Sequence, residues 1–263
     1  LQPDPETVTA GESVTYTLVA SDTFGNAWDA TAEGAYEIED GAGGSFVANV
    51  YASEFQGTWV VTGTVDGASD TALLTVEPAV AVTVDLQPDP ETVTAGESVT
   101  YTLTATDTFG NAWDATAEGA YDIEAGAGGA FAANIYTSEF QGTWVVTGTV
   151  DAASDTALLT VEPAAAVEVD LQPDPETVTA GQSVTYTLTA TDTFGNSWDA
   201  TAEGAYDIED DAGGGFTANV YTSQFKGTWV VTGTVDGVPG TAGLTVNQAE
   251  AGEVDVQPDP ETV

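Results

Sequence analysis

Residues Gly57 to Val76 read GTWVVTGTVDGASDTALLTV, and this stretch decides the fold. In its first half, Trp59, Val61 and Val65 alternate with neighbours that are mostly threonine, and the same period of two returns in its second half. A period of two predicts half-buried β-strands. The Asp66-Gly67 pair between the halves tolerates positive φ, as a tight hairpin turn requires. The stretch therefore predicts a β-hairpin.

The rest of the surrounding segment, 1–85, extends this pattern and contains no helix signal. A strand is predicted over residues 14 to 20, and shorter strands over 35 to 39, 46 to 48 and 50 to 53. No window combines apolar spacing of three and four with a cap. We therefore expect an all-β sandwich of six or seven strands. The predicted core of this segment consists of Trp59, Val61, Leu74, Tyr16, Leu18 and Ile38.

The segment is repeated three times without insertion or deletion, at residues 1–85, 86–170 and 171–255. We expect the same core in each copy. A unit of this length is too long for a solenoid repeat and suits a small domain with its own core. Residues 256–263 restart the cycle, and we expect them to form the opening strand of a truncated fourth repeat. The junctions lack a Gly/Ser spacer, which favours short, stiff connections and an elongated array. The junction from Asn247 to Gly252 departs from the others and is expected to be looser.

Charge excludes several classes of partner. The chain has 43 Asp and Glu residues, one Lys or Arg and no His, giving a net charge of -42. Nucleic acid and anionic lipid are bound through Lys and Arg, so neither is an expected partner. Such one-sided charge needs screening by salt or binding of cations. No stretch approaches the ~18 apolar residues of a membrane helix, and we expect any signal or anchor to lie outside this segment.

Catalysis is not expected, because the chain has no Cys or His and its single cation is Lys226. Nucleophile and base pairs therefore lack their usual components. Two sets of tryptophans leave an alternative open. Trp59 and its counterparts lie in a strand and are predicted to be core. Trp28 and its counterparts lie beside a polar turn, where they either pack under their own loop or form a platform for sugar stacking.

One recurring turn could bind a metal. Oxygen-bearing side chains recur beside a glycine that permits a tight turn, and calcium requires six to eight oxygen ligands. The candidate ligands are Asp22, Asn26 and Asp29, then Asp107, Asn111 and Asp114, then Asp192, Asn196 and Asp199. The spacing matches no EF-hand, and turn geometry alone also selects an Asp-Thr-Phe-Gly-Asn sequence. Three ways of neutralising the charge remain open: calcium at this turn, calcium at the acidic junction residues Asp85, Asp89 and Glu91, and screening by salt alone.

The motifs TVTAGESVTY at Thr7 to Tyr16, DTFGN at Asp22 to Asn26, and GTWVVTGTVDG at Gly57 to Gly67 resemble bacterial Ig-like domains. Such domains occur in invasin-like and intimin-like adhesins, and the resemblance covers the whole of each copy. It implies an Ig-type sandwich that is used at the cell surface or outside the cell, with no catalytic residues. We therefore expect a structural extracellular protein, a filament or fibre subunit or a surface stalk, that is not an enzyme.

Two questions about this expectation stay open. The alternative function is an adhesin or S-layer-type binding module that recognises a glycan or a protein. The expected partner is the chain itself, end to end or laterally, and polymerisation by strand donation between chains and one longer continuous polypeptide are both compatible with the sequence.

Overall fold

The computed structural model describes residues 1–255, so the predicted strand at 256–263 lies outside the described residues. The first copy contains the strands Glu6–Thr9 (β1), Ser13–Thr15 (β2), Val19–Ser21 (β3), Ala27–Asp29 (β4), Ala35–Ile38 (β5), Ser45–Val47 (β6), Val50–Ala52 (β7), Gly57–Val65 (β8) and Ala68–Glu77 (β9). Strand Thr83–Gln87 (β10) crosses from the first copy into the second. The second copy then contains Glu91–Thr94 (β11), Ser98–Thr100 (β12), Thr102–Thr106 (β13), Ala112–Asp114 (β14), Ala120–Ile123 (β15), Ala130–Ala132 (β16), Ile135–Thr137 (β17), Gly142–Val150 (β18) and Ala153–Glu162 (β19).

Strand Ala166–Gln172 (β20) crosses from the second copy into the third. The third copy then contains Glu176–Thr179 (β21), Ser183–Thr185 (β22), Thr187–Asp192 (β23), Ser197–Asp199 (β24), Ala205–Ile208 (β25), Gly215–Thr217 (β26), Val220–Thr222 (β27), Gly227–Val235 (β28) and Val238–Asn247 (β29), with a 3-10 helix at Asp210–Ala212. The all-β prediction is confirmed. Within residues 1–255, no helix is long and apolar enough to cross a membrane.

Each copy uses the same three sheets. The large sheet has the order β1-β9-β8-β5, with counterparts β11-β19-β18-β15 and β21-β29-β28-β25. Its centre is the predicted hairpin, in which Val65 pairs with Ala68 across a turn where Asp66 has φ 48° and Gly67 φ 84°. Strand β1 adds to β9 in parallel, whereas the other pairs of this sheet are antiparallel. A second sheet has the order β2-β7-β6, with counterparts β12-β17-β16 and β22-β27-β26.

The third sheet differs between copies. Strands β13 and β23 lie between two neighbours, in the orders β10-β13-β14 and β20-β23-β24, whereas β3 pairs with β4 alone in the described part of the chain. Strands β10 and β20 are formed by the segments that join one copy to the next. We refer to residues 79–85, 164–170 and 249–255 as the first, second and third linkers.

In the first copy the strand predicted over residues 14 to 20 is interrupted, which adds one strand to the six predicted, and β1 and β4 add two more. Its first half, β2, pairs with β7, and its second half, β3, pairs with β4. At Tyr16 the chain changes sheets, where its N–H donates to the Asn49 carbonyl and its carbonyl accepts from Asn49 Nδ2. Buried and exposed side chains continue to alternate across this change of sheet, so every second residue is directed toward the core on both sides of Tyr16.

The chain forms two compact units. Among the described residues, one consists of 1–92, 98–137 and 143–160, and the other of 93–97, 138–142 and 161–255. We call them unit 1 and unit 2. Unit 1 contains the first linker and unit 2 the second, each with the two ends that the linker joins, so each of these two junctions can be described inside one unit. Three domains with the boundaries 1–85, 86–170 and 171–255 stay a prediction.

The predicted core is largely confirmed. Tyr16, Val61 and Leu74 are fully buried, and Leu18 is 3% exposed. Ile38 and Trp59 are half-buried and pack against this cluster from its margin. The Trp59 indole Nε1 donates to the Phe55 carbonyl at 3.0 Å, which explains why one edge of the ring stays near the surface. Phe46 contacts three tyrosine rings, with centroid distances of 5.1 to 6.1 Å.

Candidate functional site

The turn that contains the predicted metal ligands is built around a carboxylate. In the second copy, Asp107 Oδ1 accepts hydrogen bonds from the backbone N–H groups of Phe109 at 2.8 Å and Asn111 at 2.9 Å. The Asn111 Nδ2 donates to Asp107 Oδ2 at 2.8 Å. Gly110, with φ 87°, occupies the position where the turn needs the left-handed region. The carboxylate thus closes its own turn, as aspartate does in turns of this kind.

In unit 1 this turn also binds the preceding copy. The Asn111 Oδ1 accepts the Gln56 backbone N–H at 2.8 Å, and Asn111 Nδ2 donates to the Glu54 carbonyl at 2.9 Å. Asp107 Oδ2 accepts the N–H of Ala79, in the first linker, at 2.8 Å. One asparagine and one aspartate therefore satisfy backbone groups of the segment before the linker and of the linker itself.

An aromatic side chain adds an apolar contact at the same junction. The Phe109 ring lies over Gly11 in the TAGES turn of the first copy, so close that a Cβ built on Gly11 would lie 2.9 Å from a ring carbon. Gly11 also has φ 91°. Both observations require glycine at this position, because any side chain would collide with the ring and strain the backbone.

Unit 2 repeats the junction with the equivalent residues. Asn196 Oδ1 accepts the Gln141 N–H at 2.8 Å, and Asn196 Nδ2 donates to the Glu139 carbonyl at 2.9 Å. Asp192 Oδ2 accepts the N–H of Ala164, in the second linker, at 2.9 Å. Two independent copies of one geometry indicate that the turn serves as an adaptor between copies.

In the first copy the same turn is exposed, and no segment within residues 1–255 covers it. The bonds from Asn26 to Asp22 are present at 2.7 and 2.9 Å, but both residues are exposed and Phe24 is 90% exposed. By contrast, Asp107 and Asn111 are each 3% exposed. The sequence of the turn is the same in both copies, so its burial is decided by what lies against it.

Hydrogen bonding keeps the buried carboxylates ionised. Burial raises the pKa of Asp107, but the bonds donated by the Asn111 side chain and by the Ala79, Asn111 and Phe109 backbones outweigh it, so the pKa lies below its ordinary value. The pKa of Asp192 is lowered against burial in the same way by Asn196 and by the Ala164 backbone. In the exposed turn, bonds from Asn26 lower the pKa of Asp22.

The structure brings together part of each predicted metal set. Asp22 and Asn26, and their counterparts Asp107 with Asn111 and Asp192 with Asn196, are hydrogen-bonded to each other. Asp29, Asp114 and Asp199 instead accept the N–H of the threonine two residues later, at 2.9 Å in each case. Within residues 1–255, no group of three or more acidic side chains is placed to hold a metal ion. Calcium at these turns stays a prediction.

The alternative acidic positions near the junction have local partners. Asp89 Oδ1 accepts the Leu158 N–H at 2.8 Å, and Asp85 Oδ1 accepts Gln87 Nε2 at 3.0 Å. Glu91 accepts the N–H of Thr92 at 3.3 Å. Of these three bonds, the one to Asp89 attaches the opening segment of the second copy to β19, whereas the other two join near neighbours in the chain.

Each junction also borders a cavity. In unit 1 a cavity of about 550 Å³ is lined by Pro78, Trp113, Glu118 and Asp151. In unit 2 a cavity of about 590 Å³ is lined by the counterparts Pro163, Trp198, Glu203 and Asp236. Trp113 and Trp198 are half-buried, whereas Trp28 is 39% exposed. Trp113 and Trp198 therefore lie at the junctions, where their rings are partly accessible, whereas their counterpart Trp28 lines neither cavity.

The sequence marks the aspartate and asparagine of this turn but not their partners. Glu54, Gln56 and Ala79 take part mainly through backbone groups, and a backbone donor leaves no mark in the sequence. The available signal was the unchanged length of the repeat, since a constant spacing keeps the same partner groups in register at each junction.

No family model matches the sequence, and no curated protein matches it. Solved structures do resemble it. The chain is 16% identical to domains 1-6 of the surface layer protein SbsC, with TM-score 0.31, over 93% of this chain and 39% of that one. It is 14% identical to mouse cadherin-23 EC22-24, with TM-score 0.41, over 95% and 96%. It is 10% identical to the I-band fragment I67-I69 of titin, with TM-score 0.39, over 93% and 95%.

The sheets, the hairpin and the alternation of buried and exposed residues along the strands define the class of protein. The chain is an all-β protein made of repeated β-sandwiches.

Proposed function

We propose that this chain is a structural element of an extracellular filament, fibre or surface stalk, in which acidic Ig-like domains of equal length act as spacers of fixed geometry. Within this proposal the chain is not an enzyme and belongs with the bacterial Ig-like repeats of invasin-like and intimin-like surface proteins. The surface layer and cadherin structures that resemble it are in keeping with a place outside the cell.

The observation that carries the proposal is the adaptor turn at each junction. Asn111 and Asp107 fix the first linker and the segment before it through bonds of 2.8 to 2.9 Å, and both side chains are almost fully buried. Buried, fully bonded polar groups tolerate little displacement, because each broken bond leaves a desolvated group without a partner. A junction of this kind suits a spacer, which has to hold successive domains at a set angle.

Composition adds support for endurance outside the cell. The chain has no Met and no Cys, the residues most easily oxidised, and one Lys or Arg in 263 residues. Trypsin-like proteases therefore have a single candidate site, at Lys226. A long-lived extracellular element benefits from both properties.

The proposal is tested by measuring how firmly a junction is held. Because the chain has no cysteine, spin labels can be attached at Val47→Cys and Ala132→Cys, two exposed equivalent positions within unit 1. We expect a narrow distance distribution by double electron–electron resonance, and a clearly broader one after Asn111→Ala. The matched control is Asn26→Ala, which removes the same side chain from the exposed turn. A broad distribution in the unaltered chain would contradict the spacer function.

The second candidate function is a binding module that recognises a glycan or a protein. The observation in its favour is the recurring cavity beside Trp113 and Trp198, since a partly exposed indole beside acidic groups can stack on a sugar. Glycan-array binding that is lost in Trp113→Ala together with Trp198→Ala, but is kept in Trp28→Ala, would support recognition at the junctions. Binding that is absent from the unaltered chain would leave the spacer as the function.

A further inference from the structure

The central hairpin of each large sheet has an outward face without charge. In the first copy this face consists of the side chains of β8 and β9 that point away from the core, at every second position from Thr58 to Thr64 and from Ser69 to Thr75. We call it, with its counterparts 85 and 170 residues later, the hairpin face. The chain has 43 Asp and Glu residues, yet none of them lies on this face in any copy. The acidic surface of the chain is therefore interrupted here.

Carboxylates border the face on both sides and bind its backbone. Val60 and Leu73 are directly opposed near the middle of the face. Glu39 Oε2 accepts the Val60 N–H at 2.8 Å, and Asp4 Oδ1 accepts the Leu73 N–H at 2.9 Å. The second copy repeats both bonds, at 3.0 and 2.8 Å. Because the backbone N–H groups of a strand lie in the plane of the sheet, these bonds hold the carboxylates beside the face and not above it.

An apolar ridge crosses the face in two of the three copies. Leu73 is 47% exposed and Leu158 is 49% exposed, and the valine beside each leucine is half-buried. Threonine is common at outward strand positions because of its β-propensity, but that preference does not explain an exposed leucine. In the third copy Gly243 takes the place of the leucine, and Val230 opposite it is 45% exposed. Each leucine thus covers its valine, and the pair forms one ridge.

The other sheets offer a smaller or a charged surface. The outward face of the third sheet places Thr104 between Asp85 and Asp114. The second sheet has an uncharged outward face, but its strands in the first copy have three residues each, against nine and ten in the hairpin. At about 3.4 Å per residue and about 4.8 Å between strands, the hairpin face measures about 20 Å by 10 Å. It is the longest uncharged strand surface in the described part of a copy.

Charge decides which partner suits this face. Burying a carboxylate in an interface costs free energy unless a cation pairs with it, and the chain has one Lys or Arg. Two copies, each of net charge -42, therefore meet at the lowest cost where both are uncharged. A basic partner would instead be attracted to the carboxylates and would gain nothing from a neutral ridge. A second copy of the chain is the partner that this charge pattern fits.

We propose that the hairpin faces of two copies of this chain pack against each other, with the leucine ridges buried between them. Sheets that pack face to face lie about 10 Å apart, which accommodates the leucine side chains and keeps the bordering carboxylates at a hydrated rim. The same surface serves both partners, so the contact is isologous. This inference rests on the proposed function and names the side-by-side contact within a fibre or between stalks, while the geometry of the junctions does not depend on it.

A single pair of faces gives a weak contact. Two opposed faces of about 20 Å by 10 Å bury about 400 Å² in total, well below the ~1,200 Å² at the lower end of stable interfaces. A chain with repeated faces gains affinity when more than one engages, because the later contacts form within one complex. Repulsion between the acidic chains also has to be screened, so high salt favours the contact.

Sedimentation equilibrium at up to ~1 mM chain in ~1 M NaCl, where the Debye length is ~3 Å, measures this association. We expect dimers, and we expect Leu73→Asp combined with Leu158→Asp to abolish them. The matched control is Val47→Asp combined with Ala132→Asp, which adds the same charges at exposed positions of the second sheet and should associate like the unaltered chain. A chain that stays monomeric, or an equal loss of association in both variants, would overturn the proposal.

A gain of association provides a test that does not depend on damage to the fold. Gly243→Leu restores the ridge in the third copy, where a Cβ meets nothing closer than Asp174 Oδ1, at 3.6 Å. We expect association about fivefold tighter, because apolar area is added to the contact. The control Gly215→Leu adds the same side chain to the second sheet, where a Cβ meets nothing within 4 Å, and should leave association unchanged. Equal tightening by both variants would refute the assignment to the hairpin face.

Cross-linking identifies the contact surface, since the chain has no cysteine of its own. Thr156 lies beside Leu158 on the hairpin face, and Thr137 lies on the outward face of the second sheet; both are exposed. A short bis-maleimide should join two copies of the Thr156→Cys chain and leave the Thr137→Cys chain largely unlinked. Equal yields, or the reverse, would overturn the proposed surface. Association could fail while the label distances across Asn111 stay narrow, and that result would overturn this inference alone.

Discussion

Replacing Asn111 by alanine should release the junction in unit 1 without unfolding the sandwich on either side of it. The side chain makes three bonds: to the Glu54 carbonyl, to the Gln56 N–H and to Asp107 Oδ2. It is 3% exposed, so water replaces these bonds only after the junction opens. At a net of about 1 kcal/mol for each bond, the loss is about 3 kcal/mol.

Asn26→Ala measures the part of this loss that belongs to the turn itself. Asn26 has the same place in the turn of the first copy, but its side chain bonds only to Asp22 among the described residues and is exposed. We expect Asn26→Ala to cost about 1 kcal/mol or less. The difference between the two variants, about 2 kcal/mol, is then the contribution of the junction.

Native-state hydrogen exchange is the suitable assay, because a chain with two compact units is not expected to unfold in one two-state step. The protection of the Gln56 and Ala79 amides should fall about 30-fold in Asn111→Ala, which is the equivalent of about 2 kcal/mol. Peptides from the first and second copies can be separated by mass, since Ala52 is replaced by Thr137. If Asn111→Ala and Asn26→Ala lower protection of these two amides equally, the adaptor role of the turn is refuted.

Three further predictions concern stability. In urea titrations, Tyr101→Phe should leave the free energy of unfolding of the second copy unchanged or raise it by about 1 kcal/mol. The reason is that the buried Tyr101 hydroxyl has no hydrogen-bond partner within residues 1–255, and burial raises its pKa to about 12. A clear loss of stability would contradict this prediction. The pKa of the Asp107 carboxyl is lower in the folded chain than in the unfolded chain. The ionised carboxylate therefore stabilises the fold above about pH 4, and this stabilisation is lost as the pH falls through the lowered pKa. The difference in Tm between the unaltered chain and Asp107→Asn should shrink on acidification. NaCl should raise Tm smoothly, because salt screens the repulsion between carboxylates. Calcium bound at the Asp107, Asn111 and Asp114 turn would instead raise Tm at far lower concentration and then saturate, with a magnesium series as the control. Tm values that do not change in any of the three series would contradict both forms of charge neutralisation.

Much of the fold could be predicted from local sequence. The alternation around Trp59 and Val61 and the Asp66-Gly67 turn require a hairpin, since a period of two places one set of side chains inward in any strand. The division of the strand at Tyr16 could not be predicted, because both halves keep the same alternation and only their partners differ. The half-buried place of Trp59 depends likewise on where the sheet ends, which the alternation does not encode.

The sequence by itself determined the all-β class, the hairpin and which residues of each strand face the core. It also marked Asp107 and Asn111 as the defining residues of a recurring turn. Tertiary structure alone decided what that turn does. The turns at Asp22 and at Asp107 have the same sequence, yet one is exposed and the other is buried against Glu54, Gln56 and the first linker. Their partners are backbone groups brought close by folding, and a backbone N–H or carbonyl is present at nearly every residue, so its use at a junction leaves no trace in the local sequence.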